Sequence, residues 1–361
     1  MSGPIRLYHE LHNSLKRWQK WGRPELVQSL ALLMVGIFEA RDVRLSRIAE
    51  RVPLDIQEDN LAQRFRRWLK NPRVDVRVLY DPVAFGILGA LRHTRVRIQI
   101  DRTEVNEHLN ILMVSVYYRK RAIPLAWQVL SHKGSSTFKE RNRILAHLED
   151  LLPAGCQVLV LGDREFGAVD FMRSVRLHGW DFCLRVKGSH FVCPSAGVWV
   201  KLKDLAPQPG THYFLTDMVL TQTQCFGPVH FALALDKDST DPWFIATNLL
   251  PTRRTLLDYA RRFGCEEMFS DLKTRGFHLD LSQLLEPSRF SRLLLAVVLL
   301  YVWVLSVARR LVFTQAAKRF TSRPLFQRYS RFQFARRWLA KQLTLGKPLV
   351  PDDRFCAWRL I

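Results

Sequence analysis

The sequence is short of acid. Its 361 residues hold 33 Asp+Glu against 55 Lys+Arg, a formal net charge of +22 at pH 7. That balance favours a polyanionic partner over an acidic small metabolite, with nucleic acid ahead of anionic membrane. Paired cysteines are missing as well. Cys156, Cys183, Cys193, Cys225, Cys265 and Cys356 show no CxxC and no paired spacing, which argues against a zinc ribbon or a disulfide framework and for a reducing compartment. The opening residues, MSGPIRLYHE, lack the apolar stretch of a signal peptide. No apolar run reaches membrane-spanning length: the longest, Leu293 to Leu305, is bracketed by Arg292 and Arg309, and a spanning helix needs about 20 apolar residues. It is therefore expected to be a buried core helix. Internal repeats and low-complexity segments are absent. With 48% hydrophobic residues, the chain has enough apolar material for a folded protein of two or three domains.

The first 75 or so residues read as helices. Leu26 to Glu39 is apolar and periodic, Leu45 to Arg51 is a short amphipathic segment, and Glu58 to Lys70 stops before Asn71-Pro72. Three short helices with a turn at Pro53 resemble a helix-turn-helix. In the last of them Arg64, Arg66, Arg67 and Lys70 cluster around Phe65 and Trp68, placing phosphate-neutralising charge beside aromatic bulk of a size to enter a groove. The other reading is a solvated basic face on an ordinary helical bundle.

From Arg95 the period changes to two. Val96, Ile98 and Ile100 alternate with Arg97 and Gln99 and lead into Asp101. A hairpin is predicted over Leu109 to Tyr118 and Ile123 to Leu130, joined by Arg119-Lys120-Arg121. A helix from Phe138 to about Leu152 follows, then a buried strand, Val158 to Leu161, that delivers Gly162 and Asp163. A helix from Ala168 to His178 precedes a strand from Phe182 to Val186. Three strands, helix, strand, helix, strand, with a carboxylate ending the first and fourth strands, is the order of a ribonuclease H-like core. The expected fold class is α/β: that core with a β-rich insertion, an α-helical N-terminal DNA-binding domain and a helical, basic C-terminal region. The expected domains are 1–80, helical; 90–188 with 251–308, the core; 189–250, the insertion; and 309–361, where 53 residues carry +11.

Asp101 in IDRTE, Asp163 in LGDREF and Glu266 in RRFGCEEMF stand where chemistry could use them. An aspartate at the C-terminal end of an apolar strand is out of place for packing and suited to a site at a sheet edge. Taken singly, each could equally be a turn former or a helix cap. Two divalent ions need several hard oxygen ligands from neighbouring elements, and such ions stabilise both the attacking and the leaving oxygen in phosphoryl transfer. Read as one helix from about Thr255 to Gly276, the next segment puts Tyr259, Arg262, Glu266 and Lys273 within a sector of about 60°. Glu267 falls outside that sector. A carboxylate flanked by a phenol and two cations suits a phosphodiester beside a metal; a surface i,i+4 salt bridge between Arg262 and Glu266 is the plainer alternative.

The spacing Tyr-x2-Arg-x3-Glu-x6-Lys, present as YARRFGCEEMFSDLK, resembles the signature of bacterial insertion-sequence transposases that carry an Asp-Asp-Glu triad. The IDRT and GDREF blocks are similar to that family's two aspartate motifs, and the three blocks span residues from about 95 to 280. The resemblance implies a ribonuclease H-like core interrupted before the glutamate by a β-rich domain. It implies two Mg2+ ions, with Mn2+ expected to substitute, on Asp101, Asp163 and Glu266, and phosphates of the cleaved end on Tyr259, Arg262 and Lys273. Trp243 in PWFIATN resembles the tryptophan on which a flipped terminal base stacks, and could equally be a core residue. The implied activity is cut-and-paste transposition through a hairpin. Its implied partners are the inverted-repeat ends and target, both double-stranded DNA, with a homodimer on DNA and no membrane. The implied setting is the bacterial cytoplasm, at the nucleoid. A nuclease that cuts without joining, an inactive DNA-binding remnant and a membrane-surface protein are the competing readings. The last would need an uninterrupted basic amphipathic helix, and Pro324 and Pro348 break the basic tail.

Overall fold

The computed structural model describes residues 2–18, 23–194, 197–312 and 330–349. Five helices come first: α1 (Gly3–Trp18), α2 (Pro24–Ala40), α3 (Leu45–Ala49), α4 (Glu58–Lys70) and α5 (Val76–Gly89). The sequence reading anticipated α2, α3 and α4 but neither α1 nor α5. Within α4, Phe65 and Trp68 face inward, 0% and 4% exposed, and the Trp68 indole N–H donates to Leu26 O at 3.1 Å. Burying an aromatic side chain of this size contributes about 1.5–3 kcal/mol, so these rings anchor α4 to its neighbours. This corrects the expectation of groove-entering aromatics. Of the basic cluster, Arg66, Arg67 and Lys70 are exposed, while Arg64 is half-buried and donates to Ser29 Oγ at 3.1 Å.

The strands between Val96 and Thr247 form one ten-stranded sheet in the order β3-β2-β1-β4-β5-β10-β9-β8-β6-β7. Its first part is β1 (Val96–Glu104), β2 (Asn110–Tyr118), β3 (Arg121–Leu130), β4 (Val158–Gly162) and β5 (Asp181–Arg185). β1 pairs antiparallel with β2, β2 antiparallel with β3, and β4 runs parallel to both β1 and β5. The hairpin turn uses two residues, Arg119 and Lys120, both at positive φ (47° and 67°), the geometry of a type I′ turn that matches strand twist. Helix α6 (Phe138–Leu151), started by a Thr137–Glu140 capping box, connects β3 to β4, and α7 (Val169–Leu177) connects β4 to β5.

The strands after residue 189 extend this same sheet. They are β6 (Phe191–Pro194), β7 (Val200–Lys201), β8 (His212–Leu220), β9 (Phe226–Ala234) and β10 (Trp243–Thr247). β10 joins the core strands by antiparallel pairing with β5, so Ile245 lies opposite Arg185.

Two helices, α8 (Arg253–Ala260) and α9 (Phe263–Leu272), replace the single helix expected from Thr255 to Gly276. The break has a visible cause. The buried Gln99 amide on β1 donates to Arg261 O, while Cys265 N bonds Arg262 O at 2.9 Å in place of the Arg261 carbonyl of a continuous helix. Gly264 permits the approach, because a Cβ there would stand 3.3 Å from Gln99 Nε2. Helix α10 (Pro287–Val312) then packs against α2, α4, α5, α9 and β3. Among the described residues it alone is long and apolar enough to cross a membrane, yet 89% of its most apolar window is buried inside the molecule, as expected of a core helix. Helix α11 (Arg331–Thr344) lies on α10 and α1. Residues 313–329 and 350–361 of the basic C-terminal region lie outside the described residues.

Candidate active site

Parallel pairing sets Ile100 of β1 beside Gly162 of β4, so the next residues lie side by side: Asp163 leaves the end of β4, whereas Asp101, expected to end its strand, sits inside β1, which pairs on with β2 as far as Glu104. Asp101 is 7% exposed; its Oδ1 accepts from Arg102 N at 2.8 Å and its Oδ2 from Arg262 at 3.1 Å. Burial pushes its carboxyl up to about 7, against the pull of Arg262, with Asp163 and Glu266 adding to the rise. Asp163 accepts from Glu165 N at 2.9 Å, which fixes the loop behind β4. That loop lies tight on β5: a Cβ on Gly167 would stand 2.3 Å from Arg185 O.

Arg262 occupies the turn between α8 and α9. One guanidinium nitrogen meets Asp101 and another meets Glu266 Oε1 at 2.5 Å. The i,i+4 pair read as the plainer alternative is thus formed, and the same arginine ties it to β1. Glu266 is largely exposed, with 53% side-chain accessibility, and Glu267 turns away to Arg275 at 3.0 Å and Arg121 at 3.6 Å. Lys273, just past α9, donates to Thr103 Oγ1 at 2.7 Å and to Glu104 O, and burial lowers its pKa. Tyr259 is 1% exposed, and its ring meets Trp243 edge-on with centroids 4.9 Å apart. Trp243 is itself half-buried on β10. The kinked α8–α9 segment therefore brings Tyr259, Arg262, Glu266 and Lys273 around the ends of β1 and β4. The α4 cations belong to the separate N-terminal helices.

A supporting network escaped the sequence reading. Arg102 donates to Glu165 Oε2 at 2.9 Å and to Asn110 Oδ1 at 3.0 Å, and Glu165 Oε1 receives both the N–H and the hydroxyl of Ser136 at 2.7 Å. Arg141 adds bonds to Glu165 O and Ser136 O. The signal was present, since Arg102 follows Asp101 directly and Glu165 stands two residues after Asp163.

Among the described residues, no three His, Cys, Asp or Glu side chains are drawn close enough to hold a metal ion, and Arg262 spans Asp101 and Glu266. The donor chemistry nonetheless suits a hard cation. Asp101, Asp163 and Glu266 come from three elements and lie near enough for the charges of Asp163 and Glu266 to add to the rise of the buried Asp101 carboxyl.

No curated protein sequence matches the chain. Among solved structures, a cryo-EM structure of piggyBac transposase synaptic complex with hairpin DNA is similar over 98% of this chain and 86% of that chain, at 11% identity and a TM-score of 0.46. Residues 125–303, which hold Asp163 and Glu266 and begin after Asp101, match the family model of the transposase DDE domain.

Proposed function

We propose that the chain is a DNA transposase of the cut-and-paste kind, in which Asp101, Asp163 and Glu266 form the reaction centre. The observation that carries this is the side-by-side placement of Asp101, on β1, and Asp163, just past the end of the paired strand β4, with Glu266 tied to Asp101 through Arg262. The match of residues 125–303 to the transposase DDE domain supports it. The strand order β3-β2-β1-β4-β5, with α6 and α7 as crossovers, supports a ribonuclease H-like core over residues 90–188 and 251–308. Residues 189–250 would be its β-rich insertion, 1–80 a DNA-binding unit and 309–361 a basic extension.

The three carboxylates would hold two Mg2+ ions, which Mn2+ could replace; the ions would activate a water and neutralise charge on the phosphodiester. Arg262 would move from its carboxylates towards a DNA phosphate when the ions take over its neutralising role. Lys273, held at the end of β1, and the Tyr259 phenol would keep the cut end's phosphate in place. Trp243, already packed on Tyr259, would receive a base unstacked from the end. Holding the cut end suits joining, because the 3′-OH must stay to attack again, through a hairpin and then into target DNA. The chain would act as a homodimer on double-stranded DNA, in a bacterial cytoplasm at the nucleoid.

The test is nicking of duplex DNA with Mg2+ by Asp101→Asn, Asp163→Asn and Glu266→Gln. Each should lower the rate by roughly 10³-fold or more, about 4 kcal/mol of transition-state stabilisation, while leaving DNA affinity intact. Glu267→Gln should remain active. Full nicking by any one of the three carboxylate variants would sink the assignment.

A further inference from the structure

The loop between β9 and β10 carries an acid that the reaction centre does not use. Asp241 stands two residues before Trp243, and its carboxylate meets two guanidinium groups at once, Arg164 at Oδ1 and Arg185 at Oδ2, the latter at 2.8 Å. Both cations come from strand ends beside the acids. Arg164 follows Asp163 directly. Arg185 ends β5, where the parallel pairing of Gly162 with Leu184 makes Asp163 and Arg185 the next residues along. Arg185 also donates to Pro242 O at 2.9 Å. Burial raises the Tyr259 phenol, and Arg262, Arg185 and Asp163 all lie near enough for their charges to act on it. Asp241 and its two arginines therefore sit among Asp163, Tyr259 and Trp243.

Neutralising a buried arginine explains only half of this arrangement. The Arg185 side chain is 13% accessible, and a cation so buried calls for a counter-ion. Arg164, at 42%, is solvated and needs none. Two cations on the two oxygens of one anion is the arrangement that holds a phosphodiester, which also presents two charged oxygens. Burial raises the Asp241 carboxyl, and the two arginines more than reverse that, holding it below the ordinary aspartate value. The acid is thus an anion at neutral pH. Its side chain is 54% accessible, so it can leave towards solvent while Arg185 stays fixed on Pro242 O.

We propose that Asp241 occupies the seat of a DNA phosphate: Arg164 and Arg185 bind the backbone of the strand whose base reaches Trp243, and Asp241 keeps that pair closed until the strand displaces it. The proposal rests on the transposase reading, because it places the strand between Asp163 and Trp243. The acid makes entry selective. A duplex that only touches the surface gains little by exchanging one anion for another, whereas a strand that also delivers a base to Trp243 gains the stacking.

The experiment is fluorescence anisotropy of a labelled random-sequence duplex of about 30 base pairs, titrated with the full chain over a salt series. Each phosphate contact contributes about 0.9 to the slope of log affinity against log salt. Asp241→Asn keeps the shape of the side chain and removes its charge; it should steepen the slope by about 1 to 2 and tighten binding about fivefold. Asp238→Asn is the control: it removes the same charge from the same loop, at an exposed residue that makes no ion pair among the described residues, and it should leave the slope unchanged. Asp241→Asn/Arg185→Gln removes the buried cation together with its counter-ion, so no buried charge is left unpaired. It frees Arg164 alone, should steepen the slope by about 0.9, and keeps the test valid if the single variant folds poorly. A slope unchanged or flattened in both variants would overturn the proposal and reduce Asp241 to a counter-ion of Arg185, while leaving the transposase reading standing. Absence of duplex binding by the unaltered chain and by every variant would defeat both.

Discussion

The cations at the two basic regions stand in opposite circumstances. At the acid cluster Arg262 is 7% exposed and held by Asp101 and Glu266, and Lys273 is half-buried on Thr103 and Glu104 O. On α4, Arg66, Arg67 and Lys70 are exposed and lack acidic partners among the described residues. The first set maintains the fold in the absence of DNA and reaches a phosphate only by giving up a bond it already has. The second meets phosphate with nothing to give up. Position in the sequence does not separate these roles; burial and pairing do.

The sharpest way to break that comparison is to remove one cation from each region. Arg262→Ala leaves Asp101 and Glu266 without their shared counter-ion, and loss of one partner from a buried pair is destabilising by about 3–5 kcal/mol. Arg67→Ala should change stability by no more than about 0.5 kcal/mol. Denaturant unfolding at pH 7 measures both, and equal effects would erase the distinction.

A smaller effect concerns Asp271 on the same α9. It is fully buried, 3.9 Å from Arg121, and its carboxyl is raised from 3.8 to about 6, chiefly by burial. Between those values the folded state keeps a proton that the unfolded state releases. Stability therefore falls as pH rises from about 4 to 6, and above 6 the group imposes its full penalty, on the order of 3 kcal/mol for a shift of this size. Asp271→Asn should raise stability at pH 8 by about 1–3 kcal/mol, the lower figure allowing for the lost attraction of Arg121, with the gain disappearing near pH 4. Thermal melting across that range checks it; a gain that grows on acidification would contradict the burial argument.

The smallest effect sharpens the comparison within the acid cluster itself. Glu165 touches neither Asp101 nor Glu266 in the hydrogen-bond network; it holds Arg102 and Ser136 in place behind them. As a positioning residue, Glu165→Gln should slow nicking by about 10–100-fold and raise the Mg2+ concentration needed for half-maximal rate. Unchanged metal dependence would reduce Glu165 to a structural tie.

Much of the core was legible because its signals are local. Alternation located β1, two apolar runs joined by a charged turn located β2 and β3, a further apolar run located β4, and α4 ends at Lys70 as its Asn71-Pro72 stop implied. Three carboxylates stood out because acids are scarce here and two of them follow apolar stretches, although β1 runs on past Asp101 to Glu104. What escaped depends on contacts distant in sequence. Gln99 breaks the helix between Tyr259 and Glu266 from 162 residues away, and no spacing rule registers such a capture. Phe65 and Trp68 carry the same letters whether they enter a groove or a core, and the Leu26 carbonyl that takes the Trp68 N–H stands on another helix, 42 residues away. The extension of β5 by β10 needed the pairing partner to be seen.

The central claim, that Asp163 is a metal ligand of the reaction centre, is most directly tested by nicking assays of Asp163→Cys in Mg2+ and in Mn2+. A thiolate is a soft ligand that Mg2+ rejects and Mn2+ tolerates better. The account predicts no nicking by this variant in Mg2+ and recovered nicking in Mn2+, with the unaltered chain active in both. Nicking by Asp163→Cys at the unaltered rate in Mg2+ would contradict it.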